Sequence, residues 1–327
     1  MVRFTVLASG SKGNSTVITG GRTRILLDAG LSCRELFRRM KLAGEDPETL
    51  DAIVITHEHQ DHVNGLAVTA RKLGVPVYFT EATHRAWMRW LTPRRQMTYA
   101  QWLEAAAAAR KQAAERQSGA DVAAEAEEPE VLAAVEAEEA TAAASEASLQ
   151  QPPSRKEDPA WLPATEYFQA GNPFEIGDIS LNPFTIPHDA ADPVGFVIRA
   201  EGVRMGFATD LGYIPPNVKA QLKGLALLLL ESNHDLEMLR DGPYPWSVKQ
   251  RVLSRVGHLS NEAAAGFLES AYDGQATYII LAHLSQSNNL PELARLAAER
   301  ALSGKASLLA NRLLLAGQDE PLSSVCF

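Results

Sequence analysis

The sequence predicts an α/β fold. Short runs of β-branched and large apolar residues, the pattern of strands, occur in both halves of the chain, and longer amphipathic segments, the pattern of helices, accompany them. Several of these short runs end at a histidine or a carboxylate, as at Asp210 and His283. Side chains at strand ends converge on one rim of a sheet, the usual place for an α/β active site.

In the first part of the chain, strand signals lie at residues 3–8, 15–19, 24–28, 52–56 and 75–80, and helical signals at 34–42 and 65–73. In the last part, strand signals lie at residues 174–186, 195–200, 204–208 and 225–230, and helical signals at 246–256, 261–272 and 291–303. This order indicates a mixture of strands and helices that is interrupted in the middle of the chain.

The interruption has an unusual composition. Residues 121–150 contain nine acidic residues and no Lys or Arg, which equals the formal net charge of −9 of the whole chain. From residue 104 to residue 159 Ala and Glu dominate, so fraying helix or disorder is expected, since such a segment cannot bury a core. The sequence therefore predicts one domain in two parts, 1–103 and 160–327, around an insertion at 104–159. The insertion is either a solvated spacer or a segment that binds a protein partner.

Length and cysteine content exclude several other classes of protein. With 327 residues, 46% of them apolar, the chain can bury a large core. Cys33 and Cys326 lie at opposite ends of the sequence, and neither belongs to a C-x-x-C pair, so no zinc knuckle or redox motif is expected. The first residues lack a sustained apolar segment, and no later run approaches about 18 apolar residues. We expect a cytoplasmic protein with no membrane association.

The segment from residue 56 to residue 62 holds the densest group of metal-binding side chains. His57, His59, Asp61 and His62 follow the apolar run 52–55 directly. Imidazole nitrogen and carboxylate oxygen are ligands that suit Zn²⁺ and neighbouring divalent ions. In extended backbone His57 and His59 point to the same side and can share one ion. Asp61 and His62 lie beyond the turn and are placed for a second ion.

This H-x-H-x-D-H pattern resembles that of the metallo-β-lactamase superfamily of hydrolases. The resemblance implies a four-layer αβ/βα sandwich, in which two mixed sheets pack face to face with helices outside. It also implies three further metal ligands later in the chain. The sequence offers His188, Asp210 and His283 in the expected order, each at the end of an apolar or β-branched run. The alternative for Asp210 is an ordinary cap or turn aspartate, and for His188 and His283 it is a buried, satisfied histidine.

Other segments resemble the YycJ/WalJ group of this superfamily. They are the turn at residues 8–15, rich in Gly and Ser, and residues 26–32, 231–235, 242–245, 257–261 and 283–285. The turn is read either as an anion-binding loop or as a plain hairpin. The resemblance covers nearly everything except the acidic insertion. It implies a metal-dependent hydrolase of phosphodiesters with DNA exonuclease activity.

The resemblance also implies an assignment of the ligands to two divalent ions, with Zn²⁺ favoured and Mn²⁺ as the second candidate. The first ion takes His57, His59, His188 and Asp210, and the second takes Asp61, His62, Asp210 and His283. Asp210 is expected to bridge both ions. A water held between two cations is acidified far below its bulk pKa, which supplies hydroxide as the nucleophile near neutral pH.

Three catalytic roles are predicted beside the ligands. Asp61 is expected at the reacting centre. His258, in a Gly-His-Leu-Ser-Asn loop, is assigned as general acid or transition-state stabiliser, as a similar loop in tRNA-processing relatives implies. Its alternative is a loop histidine beside a helix cap. Glu231 is expected to orient His258 or a metal-bound water. For His234 a substrate-facing role and a structural role stay open, and His84 is expected at the surface or in the core.

The substrate is predicted from charge and from the resemblance. Two basic patches stand out, Arg34 with Arg38, Arg39 and Lys41, and Arg85 with Arg89, Arg94 and Arg95, the second interleaved with Trp87 and Trp90. Arginine with indole can hold a strand of nucleic acid, whereas an amphipathic helix that buries its tryptophans is the alternative. Nucleic acid is the expected substrate, DNA above all. A hydrolase of a cyclic phosphodiester, thioester or lactone, and a scaffold without turnover, are the other hypotheses.

Overall fold

The computed structural model describes residues 1–91, 158–303 and 312–327, together with residues 103 and 107. By its internal contacts the chain divides into two compact units, one made of Met1–Leu91 and Ala160–Phe327 and the other of Thr92–Pro159. Every strand and helix given below belongs to the first unit. The predicted helix or disorder at 104–159 lies almost entirely outside the described residues.

The first sheet is formed by both ends of the first unit. Its strands are β1 (Arg3–Ala8), β2 (Ser15–Gly20), β3 (Thr23–Leu27), β4 (Ala52–Val54), β5 (Pro76–Phe79), β6 (Ala164–Tyr167) and β14 (Val325–Cys326). Their order across the sheet is β14-β1-β2-β3-β4-β5-β6. The strands from β14 to β3 pair antiparallel, and those from β3 to β6 pair parallel.

The second sheet repeats this arrangement. Its strands are β7 (Phe174–Ile176), β8 (Ile179–Thr185), β9 (Val194–Ala200), β10 (Val203–Ala208), β11 (Leu227–Glu231), β12 (Tyr278–Ala282) and β13 (Arg312–Leu315). They lie in the order β13-β12-β11-β10-β9-β8-β7. The strands from β7 to β10 pair antiparallel and those from β10 to β13 parallel. Parallel neighbours end at the same edge, so β10, β11 and β12 deliver their last residues to one rim.

Helices connect the strands. They are α1 (Cys33–Leu42), α2 (Gln60–Val63), α3 (Leu66–Leu73), α4 (Glu81–Leu91), α5 (Pro216–Gln221), α6 (Leu236–Asp241), α7 (Trp246–Val252), α8 (Asn261–Ser270) and α9 (Pro291–Leu302), with a 3₁₀ turn at Pro47–Thr49. Serines begin two of the predicted helices, because the Ser32 and Ser260 hydroxyls accept hydrogen bonds from the backbone amides of Glu35 and Ala263. Among the described residues no helix is both long enough and apolar enough to cross a membrane.

Three apolar clusters show the layers. The central cluster contains residues of both sheets, among them Phe4 of β1 and Phe196 of β9. A second cluster joins the other face of the second sheet to helices, through Leu228 of β11 and Phe267 of α8. A third joins the first sheet to α1, α3 and α4. The predicted αβ/βα sandwich of four layers is therefore confirmed.

Several element boundaries differ from those predicted. The strand expected at 174–186 is a hairpin, because Gly177 turns the chain with φ 53° between β7 and β8. The helix expected at 246–256 ends at Val252. The short edge strands β6, β13 and β14 were not predicted. Each has only two to four residues, too few for a clear alternation of apolar and polar side chains.

The division of the chain leads to a prediction about the acidic segment. Replacing residues 104–157 by a short Gly/Ser linker should leave a folded protein that binds metal, because shortening a loop changes its closure free energy by only about 1–2 kcal/mol. Thermal unfolding and metal analysis of the purified variant measure this. A variant that also lacks β6 is the control, since it removes an edge strand and should unfold at lower temperature. Loss of the cooperative transition in the linker variant would contradict the predicted insertion.

Candidate metal centre

The predicted ligands converge on the rim where the strands end. The loop after β4 brings His57 and the residues that follow it, and β8, β10 and β12 are followed by His188, Asp210 and His283. The ligand atoms of His57, His59 and His188 lie within 4.8 Å of one another. A second group, with the same limit of 4.8 Å, contains Asp61, His62, Asp210 and His283. The structure therefore brings together all seven residues predicted as ligands, in two groups.

The first group has the hydrogen bonds expected of metal-binding imidazoles. Nδ1 of His59 lies 3.2 Å from Nε2 of His188. The opposite nitrogens of these rings donate to the carbonyls of Asp189 and Gly257, each at 3.2 Å, because a carbonyl can only accept. Two lone pairs therefore face each other. Two imidazole nitrogens that face each other in this way could share a divalent cation.

His57 is oriented by its neighbour in the chain. The Thr56 hydroxyl donates to the Asp28 carboxylate at 3.0 Å, so it accepts from Nδ1–H of His57, also at 3.0 Å. Nε2 of His57 is buried and has no hydrogen-bond partner among the described residues. Burial, followed by the neighbouring His62, lowers the pKa of His57 well below its ordinary value. The ring is therefore neutral and presents a lone pair, the form that binds a metal.

Asp28 supports the second group, a role that the sequence did not reveal. Its Oδ2 accepts from Nδ1–H of His62 at 2.8 Å. Nε2 of His62 then faces Oδ2 of Asp61 and Oδ2 of Asp210, each at 3.4 Å. A carboxylate that accepts the outer N–H of a ligating histidine fixes its tautomer and makes it a better ligand. The available signal was a lone aspartate directly after a buried strand, in Leu-Leu-Asp-Ala-Gly.

Glu231 has the corresponding role for His283 and also contacts His258. Its Oε1 accepts from Nδ1 of His283 at 3.1 Å and from Nδ1 of His258 at 2.7 Å. Nε2 of His283 lies 3.4 Å from Oδ2 of Asp61 and 3.4 Å from Oδ1 of Asp210. The predicted contact between Glu231 and His258 is present, whereas the contact with His283 was not foreseen. Glu231 thus connects the second group to His258.

Asp210 is the side chain that most strongly indicates a metal site at this centre. It is buried, and its Oδ2 accepts no hydrogen bond from a described residue. Although burial opposes ionisation, His283 and His62 hold the pKa of Asp210 well below its usual range, so it is a buried anion. Leaving such an oxygen without a partner is costly, and a divalent cation removes that cost. The donor set of imidazole nitrogen and carboxylate oxygen therefore fits divalent metal ions.

The backbone is strained at the same places. Asp28, Asp210 and His283 have φ values of 61°, 60° and 58°, in the left-handed region that residues other than Gly adopt uncommonly, and Asn, Asp and His most often among them. Each stands at most two residues after the end of a strand. Strain of this kind costs about 1–3 kcal/mol per residue and persists where the surrounding structure requires it. Here it turns the side chains toward the rim.

The Gly-Ser turn of residues 8–15 contacts the ligands rather than only closing a hairpin. Nδ2 of Asn14 donates to Oδ2 of Asp61 at 3.0 Å, and the Ser9 hydroxyl accepts from the backbone amide of His283 at 2.8 Å. The turn is read from the sequence as an anion-binding loop or a plain hairpin, and neither interpretation includes these contacts. Gly30 packs here as well, since a Cβ on it would lie 1.7 Å from the carbonyl oxygen of Asp61.

The two remaining histidines lie outside the ligand groups. His234 is buried, neither ring nitrogen has a hydrogen-bond partner among the described residues, and burial lowers its pKa to about 4. Its backbone pairs with Ser260, which fixes the loop that carries His258. His84 is buried beside Phe79, in agreement with the prediction of a surface or core position.

A cavity of ≈ 370 Å³ opens onto the centre. Its lining includes His59, Asp61, Asp210, His258 and His283. The same cavity is lined by Trp90, Tyr244 and Arg251. Trp90 belongs to the second predicted basic patch, whereas Tyr244 and Arg251 were not predicted as site residues. The size of the cavity lies at the lower end of the range for sites that bind small molecules.

The two predicted basic patches are only partly exposed. In the first, Arg39 is buried and donates to two backbone carbonyls, so it holds the fold together. In the second, Arg85 pairs with Glu81, and residues 94 and 95 lie outside the described part of the chain. Trp87 packs against Phe79 in the core. The alternative prediction, an amphipathic helix that buries its tryptophans, is therefore correct for Trp87 but not for Trp90.

Comparison with known proteins agrees with this geometry. The family model of the metallo-beta-lactamase superfamily matches residues 8–244. Exodeoxyribonuclease YycJ of Bacillus anthracis is 32% identical over 304 residues, which cover 93% of this chain and 90% of that protein. Exodeoxyribonuclease WalJ of Streptococcus pneumoniae is 30% identical over 294 residues, 90% of this chain and 86% of that protein.

A solved structure shows the same fold. The metallo-beta-lactamase fold protein YhfI from Bacillus subtilis matches with a TM-score of 0.59 and 14% identity, over 98% of each chain. At this identity the likeness concerns the fold alone. The family model and the relatives that match along nearly the whole chain show the family as well as the fold. The chain belongs to the metallo-β-lactamase superfamily and, within it, to the group that includes YycJ and WalJ.

Proposed function

We propose that this protein is a dinuclear metal phosphodiesterase that removes nucleotides from DNA ends. The observation that carries the proposal is the buried, unpartnered Oδ2 of Asp210 among converging imidazoles and carboxylates. The relatives named exodeoxyribonucleases match over 93% and 90% of this chain. Together these findings favour DNA over a small-molecule substrate.

The two ligand groups divide between two ions. His57, His59 and His188 would hold the first ion, and Asp61, His62 and His283 would hold the second, with Asp210 shared between them. Zn²⁺ suits a site rich in imidazole, and Mn²⁺ is the alternative. Bound there, the ions supply acidified water near neutral pH and neutralise the charge of the phosphate.

His258 is placed for proton transfer to the leaving oxygen. Its Nδ1–H is held by Glu231, so Nε2 is the atom left to meet a substrate, and the side chain lines the cavity. Burial by itself would raise the pKa of Glu231, but the neighbouring His258 outweighs this effect and holds that pKa below its ordinary value. The Glu231 carboxylate is therefore ionised. The ionised carboxylate accepts from Nδ1 of His258 at 2.7 Å and so fixes the orientation of the ring at the cavity, as a general acid requires.

The shared role of Asp210 is tested by metal content. Asp210→Ala should lower bound metal from about two ions per chain and abolish turnover, because both ions lose a ligand together. Metal analysis of the purified protein gives the stoichiometry without reference to activity. Asp241→Ala, which removes an exposed aspartate paired with Arg240, is the matched control and should keep both ions. Full metal content in Asp210→Ala would show that Asp210 is no ligand.

Asp28 should matter through His62 directly and through His57 by way of the Thr56 hydroxyl. Asp28→Asn keeps the shape of the side chain but weakens the hydrogen bond to Nδ1, so metal affinity should fall about 10- to 100-fold. Competition with a chelator of known affinity measures the change. Asp51→Asn is the control, since Asp51 is an exposed aspartate that accepts from the amide of Arg24. Equal affinities in the two variants would remove Asp28 from the support of the centre.

His258 is separated from the ligands by its dependence on the leaving group. His258→Ala should keep both ions and slow cleavage of a nucleotide diester by about 10²–10⁴-fold, the usual contribution of general acid catalysis. A diester with a nitrophenolate leaving group needs little protonation, so its rate should fall much less. Equal losses on both substrates would indicate a positioning role. Loss of metal would make His258 a ligand in place of His283.

A further inference from the structure

Three large side chains line the metal cavity without belonging to either ligand group. They are Trp90 at the end of α4, Tyr244 in the loop before α7, and Arg251 near the end of α7. Two offer aromatic faces and one offers a guanidinium. Single-stranded nucleic acid is commonly bound by this combination, since bases stack on aromatic rings and phosphates pair with arginine.

Trp90 has an indole that the fold does not use. It is 74% exposed, whereas Trp87 on the same helix is 2% exposed and packs in the core. An exposed tryptophan at the mouth of a cavity offers a large flat surface whose ordering costs little entropy. The two tryptophans of α4 are therefore divided between the core and the cavity.

Tyr244 stands in a rigid loop. Pro243 and Pro245 flank it, and proline fixes its own φ angle near −65°. Gly242 packs so tightly that a Cβ on it would lie 2.3 Å from the Asn288 side chain and 2.5 Å from the Met238 carbonyl oxygen. The ring is therefore presented at the cavity by a loop that loses little freedom when a ligand binds.

Arg251 is the one Lys or Arg among the residues that line this cavity in the described part of the chain. Its Nε pairs with Oδ2 of Asp189, whose carbonyl accepts from the ring of His59. The Nη atoms of Arg251 donate no hydrogen bond to any described residue. The guanidinium is thus oriented by the residue beside a metal ligand, with two nitrogens left for a phosphate.

Charge and size favour a single nucleotide as the occupant. Outside residues 121–150 the chain is formally neutral, and the described lining of the cavity holds one basic residue, Arg251, so little positive charge is present there to neutralise duplex phosphates. The cavity of ≈ 370 Å³ takes a small-molecule unit rather than a helix. A base can reach an aromatic face only after it leaves its own stack, as at a single-stranded or frayed end.

We infer that this cavity is a subsite for one unstacked nucleotide at the end of a DNA strand, with the base stacked on Trp90 and Tyr244 and a phosphate bound by Arg251. The inference rests on the proposed function and adds the part of the substrate that the site recognises. On this inference, recognition of the terminal nucleotide depends more on base stacking than on charge.

Trp90→Ala tests the stacking. It should raise KM for a single-stranded oligonucleotide about 5- to 100-fold, the effect of losing one base-stacking contact. Trp90→Phe should restore most of the affinity. Trp246→Ala, which removes a 65% exposed tryptophan outside the cavity lining, is the matched control and should leave KM unchanged. Methyl p-nitrophenyl phosphate has no base, so its KM should change much less than that of the oligonucleotide, and metal content should be the same in all four proteins.

An oligonucleotide whose terminal nucleotide lacks its base separates the two contacts. On this substrate Trp90→Ala should cause no further loss, whereas Arg251→Ala should still raise KM, with Arg240→Ala as the exposed arginine control. An equal loss for Trp90→Ala on intact and abasic ends would overturn the stacking role. Unchanged KM in Trp90→Ala and Arg251→Ala, while the wild type degrades DNA, would overturn the subsite. If the wild type cleaves only the methyl diester, the proposed function fails first.

Discussion

The centre depends on negative charge that is buried where four strands end. Asp28, Asp210 and Glu231 are fully or almost fully buried, and Asp61 lies beside them. Such carboxylates lose several kcal/mol of hydration each, and hydrogen bonds alone do not satisfy them, since Oδ2 of Asp210 has none within the described structure. Imidazoles and divalent cations offset this cost. The seven converging ligands, the strained strand ends and the turn at Asn14 are therefore parts of one electrostatic arrangement.

Groups outside the ligand set decide which imidazole nitrogen faces the ions. Asp28 does so for His62, Glu231 does so for His283, and backbone carbonyls do so for His59 and His188. Each accepts an N–H, so the opposite nitrogen is the one that can bind an ion once any proton on it has been released. The tautomers of the centre are thus set by residues brought from several different strands and loops. This explains why the fold must form before the ligands are arranged correctly.

The sequence predicted the residues that carry a local pattern or the family resemblance, and missed the residues that support them from elsewhere in the chain. The dense group from His57 to His62 and the order of strands and helices were enough for the fold class and the family, both of which are confirmed. Asp28 and Asn14 were missed because their contacts join residues 34 and 47 positions apart, which no local pattern records. Short edge strands and the hairpin at Gly177 were missed because alternation needs more residues than they contain. The ligand assignments themselves stay a prediction.

Because of Glu231, it is harder to test which histidine acts as the general acid than to test which residues are metal ligands. A single oxygen, Oε1, accepts from both His258 and His283, so removal of the carboxylate changes a candidate acid and a candidate ligand at once. Effects of residues that act as a unit are not additive, and a Glu231 variant would not separate them. His258 has a 21% exposed side chain and lies at the cavity, whereas His283 is buried against Asp61 and Asp210. This exposure is why proton transfer is proposed for His258 rather than His283, and the shared carboxylate would couple that role to the arrangement of the second ligand group.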